Sequence, residues 1–117
     1  MHSVSAAIDY SHLDLYVQGD RGLLDEILVI FEEQAEVLRA ALDPAASDEE
    51  WRNVAHKLKG ASRGVGAFAL GEVAEAAEAL IGPHSRMHEA RSALLPLLHD
   101  RIDAAITYAR LLRDGRP

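Results

Sequence analysis

The chain has no cysteine, which excludes a disulfide framework and a thiolate zinc site and fits a reducing cytoplasm. Any metal would need histidine or carboxylate ligands. No apolar run approaches the roughly 18 to 20 residues of a membrane span. The N-terminal stretch MHSVSAAIDYSHLD lacks the basic and apolar segments of a secretory leader, so a soluble, cytoplasmic protein is expected. Positive charge is also scarce. Twelve Lys and Arg stand against nineteen Asp and Glu, a net charge of −7, which opposes a general attraction to nucleic acid or anionic lipid. Aromatics number six (Tyr10, Tyr16, Phe31, Trp51, Phe68, Tyr108), too few beside so small a basic patch for a nucleic-acid surface; most are expected in the core. A glycine-rich nucleotide loop of the Walker type is absent, as are β-branched runs and period-2 alternation.

What remains is rich in Ala, Leu, Glu and Arg and reads as all helix. At 117 residues it is expected to be one domain, 1–117, with a core over about 11–112, burying roughly two-thirds of its unfolded surface. A short helix is expected from Ser11 to Val17, with Ser11 and Asp14 as a capping box. Gly19-Asp20 restarts the chain with Asp20 at the N-cap. Leu24, Leu28, Phe31, Ala35, Leu38 and Leu42 then draw one buried stripe until Pro44.

Ser47-Asp-Glu-Glu50 is a second capping box, opening a third helix over about 48–64. Gly64 and Gly66 bend or end it. Leu70, Val73, Ala74, Ala77 and Leu80 or Ile81 mark a fourth helix that Gly82-Pro83 stops. A last one, about Ser85 to Leu112, carries Leu94, Leu97, Leu98, Ile102, Ala105, Ile106, Ala109 and Leu112 on one side, with a kink or a start expected near Pro96. The tail from Asp114 to Pro117 is expected to fray. Long helices joined by short connections predict an up-down-up-down antiparallel four-helix bundle with a short extra N-terminal helix, and a monomer.

The third helix carries the informative residues. With His56 at zero, Arg63, Arg52 and Lys59 lie about 20°, 40° and 60° to one side, and Gly60 and Asn53 about 40° and 60° to the other. Val54, Leu58, Ala61 and Val65 point the opposite way, with Trp51, Ala55 and Ser62 at the margins, so His56 faces outward. From Trp51 to Arg63 there are four basic residues and no acidic one. A neutral imidazole at cytoplasmic pH is a nucleophile, and Lys and Arg around it give charge-assisted bonds to an anion on the ring. Gly60 weakens a helix by about 1 kcal/mol relative to alanine, and it clears space beside the ring. Spacing alone is equally met by a solvated surface histidine.

The string His56-Lys-Leu-Lys59-Gly60-Ala61-Ser62, followed by Val65-Gly66 and Leu70, resembles the H-x-x-K-G signature of histidine-containing phosphotransfer (HPt) domains. Gly19-Asp20, Leu23-Leu24 and Ile27 to Phe31 upstream, and Ala74 to Leu80 downstream, resemble the flanking helices of that family, so the likeness covers about residues 11–112. It implies a phosphoryl carrier of a two-component phosphorelay. His56 would accept the group on Nε2 from a receiver-domain aspartyl phosphate, or from a hybrid histidine kinase system, and pass it to a response-regulator receiver. Lys59 would neutralise the phosphoryl oxygens and Gly60 would leave room for the receiver. Glu78 falls where the family often places Gln or Glu; its carboxylate would orient the Nδ1–H yet repel the phosphoryl group. Arg63 and Arg52 are added from helix geometry, as a phosphoryl contact and a docking contact, and Lys57, about 100° away, as a flank contact. Ser62 is expected to be a small packing residue.

The resemblance further implies no autophosphorylation from ATP, since the chain has no room for a kinase ATP-binding domain. No cofactor is expected; Mg²⁺ would belong to the partner's acidic site. Two other functions compete. One is a non-catalytic helical interaction module that binds a receiver or kinase. The other is a metal site at His84 and His88, whose i, i+4 spacing suits helix ligands but which lacks the glutamate of a His-Glu-x-x-His motif. His2, His12 and His99 are read as surface or cap positions.

Overall fold

In the computed structural model, which describes residues 6–83 and 86–115, α1 (Tyr10–Val17) is capped by Asp9 and not by the expected Ser11 box. The Asp9 carboxylate accepts from the Ser11 and His12 backbone N–H groups, where it also meets the positive end of the helix. Asp14 instead serves the far end of α1, accepting from the Gly19 N–H at 3.0 Å. Asp20 caps α2 (Arg21–Ala41) as expected. Its predicted stripe from Leu24 to Leu42 is buried throughout.

The capping box of Ser47 and Glu50 opens α3 (Asp48–Val65). Its buried side is Trp51, Ala55, Leu58, Ser62 and Val65, rotated from the expected stripe. Val54 and Ala61 are only half-buried, because α3 packs against more than one neighbour, chiefly α2 and a later helix. Ser62 tolerates full burial by donating its hydroxyl to the Leu58 carbonyl at 2.6 Å.

At the end of α3, Gly66 adopts a left-handed conformation with φ of 85°. Its N–H bonds the Arg63 carbonyl, and the Ala67 N–H reaches back to Ser62 at 2.8 Å, closing a Schellman turn that satisfies the last carbonyls. The chain reverses into α4 (Phe68–Glu78). The same glycine packs on the N-terminal segment: its carbonyl accepts from the Asp9 N–H at 2.9 Å, and a Cβ there would lie 2.8 Å from the Asp9 carbonyl oxygen. Gly66→Ala is expected to cost about 2 kcal/mol or more through strain and collision. Gly60→Ala, with nothing within 4 Å of an added Cβ, should stabilise by about 0.5–1 kcal/mol. Urea denaturation of the two variants checks this opposition of sign.

The last helix, α5 (Met87–Arg113), runs through Pro96 without a break. Pro96 and Ser92, one turn back, are both exposed, so the carbonyl left without a partner faces water. Leu97 departs from the expected apolar side and is exposed, while Leu98, Ile102, Ala105, Ile106, Ala109 and Leu112 are buried as expected. Within the described residues there are five helices and no strand. Helix α3 packs against α2 and α4, α5 packs against the same two, and α1 rests on α2 and α3. The result is a helical bundle around one hydrophobic cluster. Ion pairs fix α5 to α2: Glu32, nearly buried, accepts from Arg110 and Arg113, and Arg39 makes a two-pronged bond to Asp103.

Of the aromatics, only Phe31 and Trp51 are fully in the core, and Tyr10, Tyr16 and Phe68 are exposed. His12 is a packing residue and not a bare surface one, its ring meeting Tyr16 and Phe68 edge-on at 5.5 and 5.2 Å. His2, His84, Ser85 and the Arg116–Pro117 end of the tail lie outside the described residues.

Candidate functional site

The small residues of α4 let it approach α3 closely. Gly71 is so tight that a Cβ would meet the Arg63 side chain at 3.1 Å, and Ala74 and Ala77 are fully buried. The end of α4 is held by the buried Trp51 indole, which donates to the Ala77 carbonyl at 2.7 Å. Arg91 of α5 stacks on that indole at 5.1 Å. The next residue after Ala77 is therefore fixed in place, and it is Glu78.

The Glu78 carboxylate bridges two residues of α3. One oxygen lies 2.7 Å from His56 Nδ1 and the other 2.6 Å from the Lys59 ammonium. An ionised carboxylate only accepts, so Nδ1 is the donor and carries the proton. In the neutral ring the second nitrogen, Nε2, then keeps its lone pair, on a side chain that is 59% exposed. A histidine so held presents a nucleophile to anything that approaches α3 from solvent.

The cationic face read from α3 is changed by what α4 brings to it. Lys59 is paired with Glu78, and Arg63 donates to Glu75 at 2.9 Å. Arg52 and Lys57 are exposed and make no ion pair among the described residues. Two of the four cations near His56 are thus neutralised by a neighbouring helix. Sequence spacing along α3 carries no sign of this, because the carboxylates lie on another helix, a dozen or more residues away.

On the other side of His56 the surface is bare. Gly60 and Gly64 have nothing within 4 Å of where a Cβ would stand. Beyond them a shallow groove of about 240 Å³ is lined by Ile27, Ile30, Phe31, Gln34, Ala61, Gly64 and Val65. Leu23, Ile30 and Val37 of α2 are exposed. These apolar positions were not identified by the sequence reading. The available signal was a second apolar row on α2, Leu23, Ile27, Ile30 and Val37, running beside the core stripe.

The hydrogen bond from Lys59, and next that from His56, hold the Glu78 carboxyl below its ordinary value. A carboxyl lowered in this way contributes stability above its unfolded value and loses it as the pH falls through the folded one. The bridge is therefore expected to persist through mild acid and open only below the usual carboxylate range. Carboxyl NMR titration checks this, with Lys59→Met expected to bring the Glu78 midpoint back up.

Among the described residues no group of three or more His, Cys, Asp or Glu is placed to hold a metal, and none of their helices is long and apolar enough to cross a membrane. His88 is exposed in the first turn of α5. A family model described as the Hpt domain matches residues 22–108. Neither the curated proteins nor the solved structures yield a match.

Proposed function

Because the chain belongs to the Hpt domain family, whose members carry phosphoryl groups on histidine in phosphorelays and work with receiver domains and kinases, we propose that it is a phosphorelay carrier with His56 as acceptor. The observation that carries this is the exposed ring whose Nδ1 is held by Glu78, leaving Nε2 free.

In the accepting step the Nε2 lone pair attacks the phosphorus of a receiver's aspartyl phosphate. The P–N bond forms, the P–O bond to the aspartate breaks, and the electron pair leaves with the aspartate carboxylate. The Nδ1 proton stays on Glu78's side of the ring throughout. The donating step is the reverse, toward the aspartate of the next receiver. Lys59 is the cation nearest the phosphoryl oxygens, though its ammonium is shared with Glu78, and Mg²⁺ sits in the receiver's own acidic site. Arg63, tied to Glu75 in the resting protein, is available to the same oxygens once released.

Gly60 admits the receiver, Arg52 and Lys57 flank it with positive charge, and the α2 row of Leu23, Ile27 and Ile30 with the groove at Gly64 gives it an apolar seat. The chain acts as a single cytoplasmic domain and a monomer, without an ATP site or kinase activity. The pairing of α2 and α4 with both α3 and α5, with short connections, supports the up-down-up-down antiparallel order.

The test is incubation with a phosphorylated receiver and, separately, with ATP alone, mapping acid-labile phosphate. Label from the receiver and none from ATP is the expected result. Several receivers giving no label would leave a non-catalytic interaction module as the function.

A further inference from the structure

The Lys59–Glu78 contact has a consequence for the energy of the phosphorylated state. Phosphorylation of the neutral His56 ring adds net negative charge: the phosphoryl group brings roughly −1.5 to −2, and a ring proton offsets at most one unit. That charge arrives one ring width from a carboxylate. Meanwhile Lys59, the cation positioned to meet it, is held by that same carboxylate at 2.6 Å. Both partners are mostly buried, with side chains 19% and 15% exposed, so salt screens their attraction little. Arg63 is likewise held by Glu75.

We propose that Glu78 makes His56 a strong phosphoryl donor and a poor phosphoryl store, by withholding Lys59 from the phosphoryl group and repelling it. This deepens, and rests on, the carrier reading above. A site built for storage would leave Lys59 and Arg63 free around the ring; here α4 occupies both. The chemistry places the protein between two receivers as a short-lived intermediate, one from which the phosphoryl group moves onward to an aspartate. Glu78 acts through Lys59 and the ring, and is in that sense a positioning residue for the reaction.

Glu78→Gln separates the charge from the geometry, because the amide oxygen still accepts from the His56 Nδ1–H and the shape is kept. The protein is labelled at His56 with phosphoramidate, mixed with a Mg²⁺-loaded receiver domain, and the division of phosphate between His56 and the receiver aspartate is measured at equilibrium by ³¹P NMR. Glu78→Gln is expected to move that division toward phosphohistidine by about five- to tenfold, the scale of one unit charge on a mostly buried carboxylate acting across an exposed ring. Glu75→Gln should move it less, since Arg63 lies two turns along α3 from His56. Adding Lys59→Met to Glu78→Gln should remove most of the gain, which a merely structural effect of the glutamine would not do.

An unchanged division, or one moved toward the aspartate, overturns the proposal while leaving the carrier function standing. A wild type that exchanges no phosphate with any receiver overturns both.

Discussion

Replacing His56 with glutamine is expected to abolish phosphate acceptance from a phosphorylated receiver, a loss on the order of a thousandfold or more in transfer rate, while leaving the fold intact. Glutamine keeps a polar side chain of similar reach at a position 59% exposed, so the change in stability should stay within about 0.5 kcal/mol. Its amide nitrogen still donates to Glu78, but it has no lone pair on a basic nitrogen to attack phosphorus. Thermal melts of the two proteins should overlay while acid-labile label disappears from the variant. Label that persists on His56→Gln would assign the acceptor to another residue.

The largest effect on stability is expected at Arg91. This guanidinium is 3% exposed and collects the ends of three elements. It donates to the Leu80 carbonyl after α4, to the Pro44 and Ala46 carbonyls of the loop before α3, and to Asp48 in the first turn of α3 at 2.6 Å. It also covers the Trp51 ring. Truncation leaves three carbonyls without that donor and opens a void against the indole.

Arg91→Ala is therefore expected to cost about 3 kcal/mol, with a fall in melting temperature near 10 °C. Arg91→Lys should recover only part of this, because a single ammonium cannot span carbonyls of three segments. Trp51 in turn fixes Ala77 and, beside it, Glu78. The phosphotransfer rate of the variant, measured well below its melting temperature, is expected to fall severalfold as the bridge to His56 loosens. A melting temperature unchanged in Arg91→Ala would mean that these bonds are replaced by water at no cost.

Asp48 feels the same cluster from its exposed side. Its carboxyl is lowered first by the bond from the Gly82 N–H and then by Arg91. Its contribution is thus present at neutral pH and fades as the pH falls through its lowered folded value, adding to the acid sensitivity of the Glu78 bridge.

Along the helices, local pattern was enough. Caps at Asp20 and Ser47, the stripe from Leu24 to Leu42, and the outward direction of His56 follow from spacings of three and four and from side chains that bond the nearest free N–H groups. Those are interactions among near neighbours in sequence, so one strand of text contains both partners. The motif around His56, Lys59 and Gly60 was readable for the same reason.

Where a partner came from far along the chain, pattern failed. The Ser11 cap gave way to Asp9, whose neighbourhood is set by Gly66 across the molecule. The buried side of α3 turned toward Ala55 and Ser62 because more than one helix packs on it. Leu97 lost its core place because a helix has more apolar residues than its contact face can cover. The pairing of Lys59 and Arg63 with Glu78 and Glu75 could not be seen either, since it depends on how close α4 comes to α3.

The sequence by itself thus determined an all-helical chain with a histidine turned to solvent on the same helix face as a glycine and a lysine, because periodicity and capping act within a few turns. Only the tertiary structure decided what surrounds that histidine. The Schellman turn at Gly66 and the small residues of α4 bring two carboxylates within hydrogen-bond distance of α3. Electrostatic energy depends on separation in space and not along the chain.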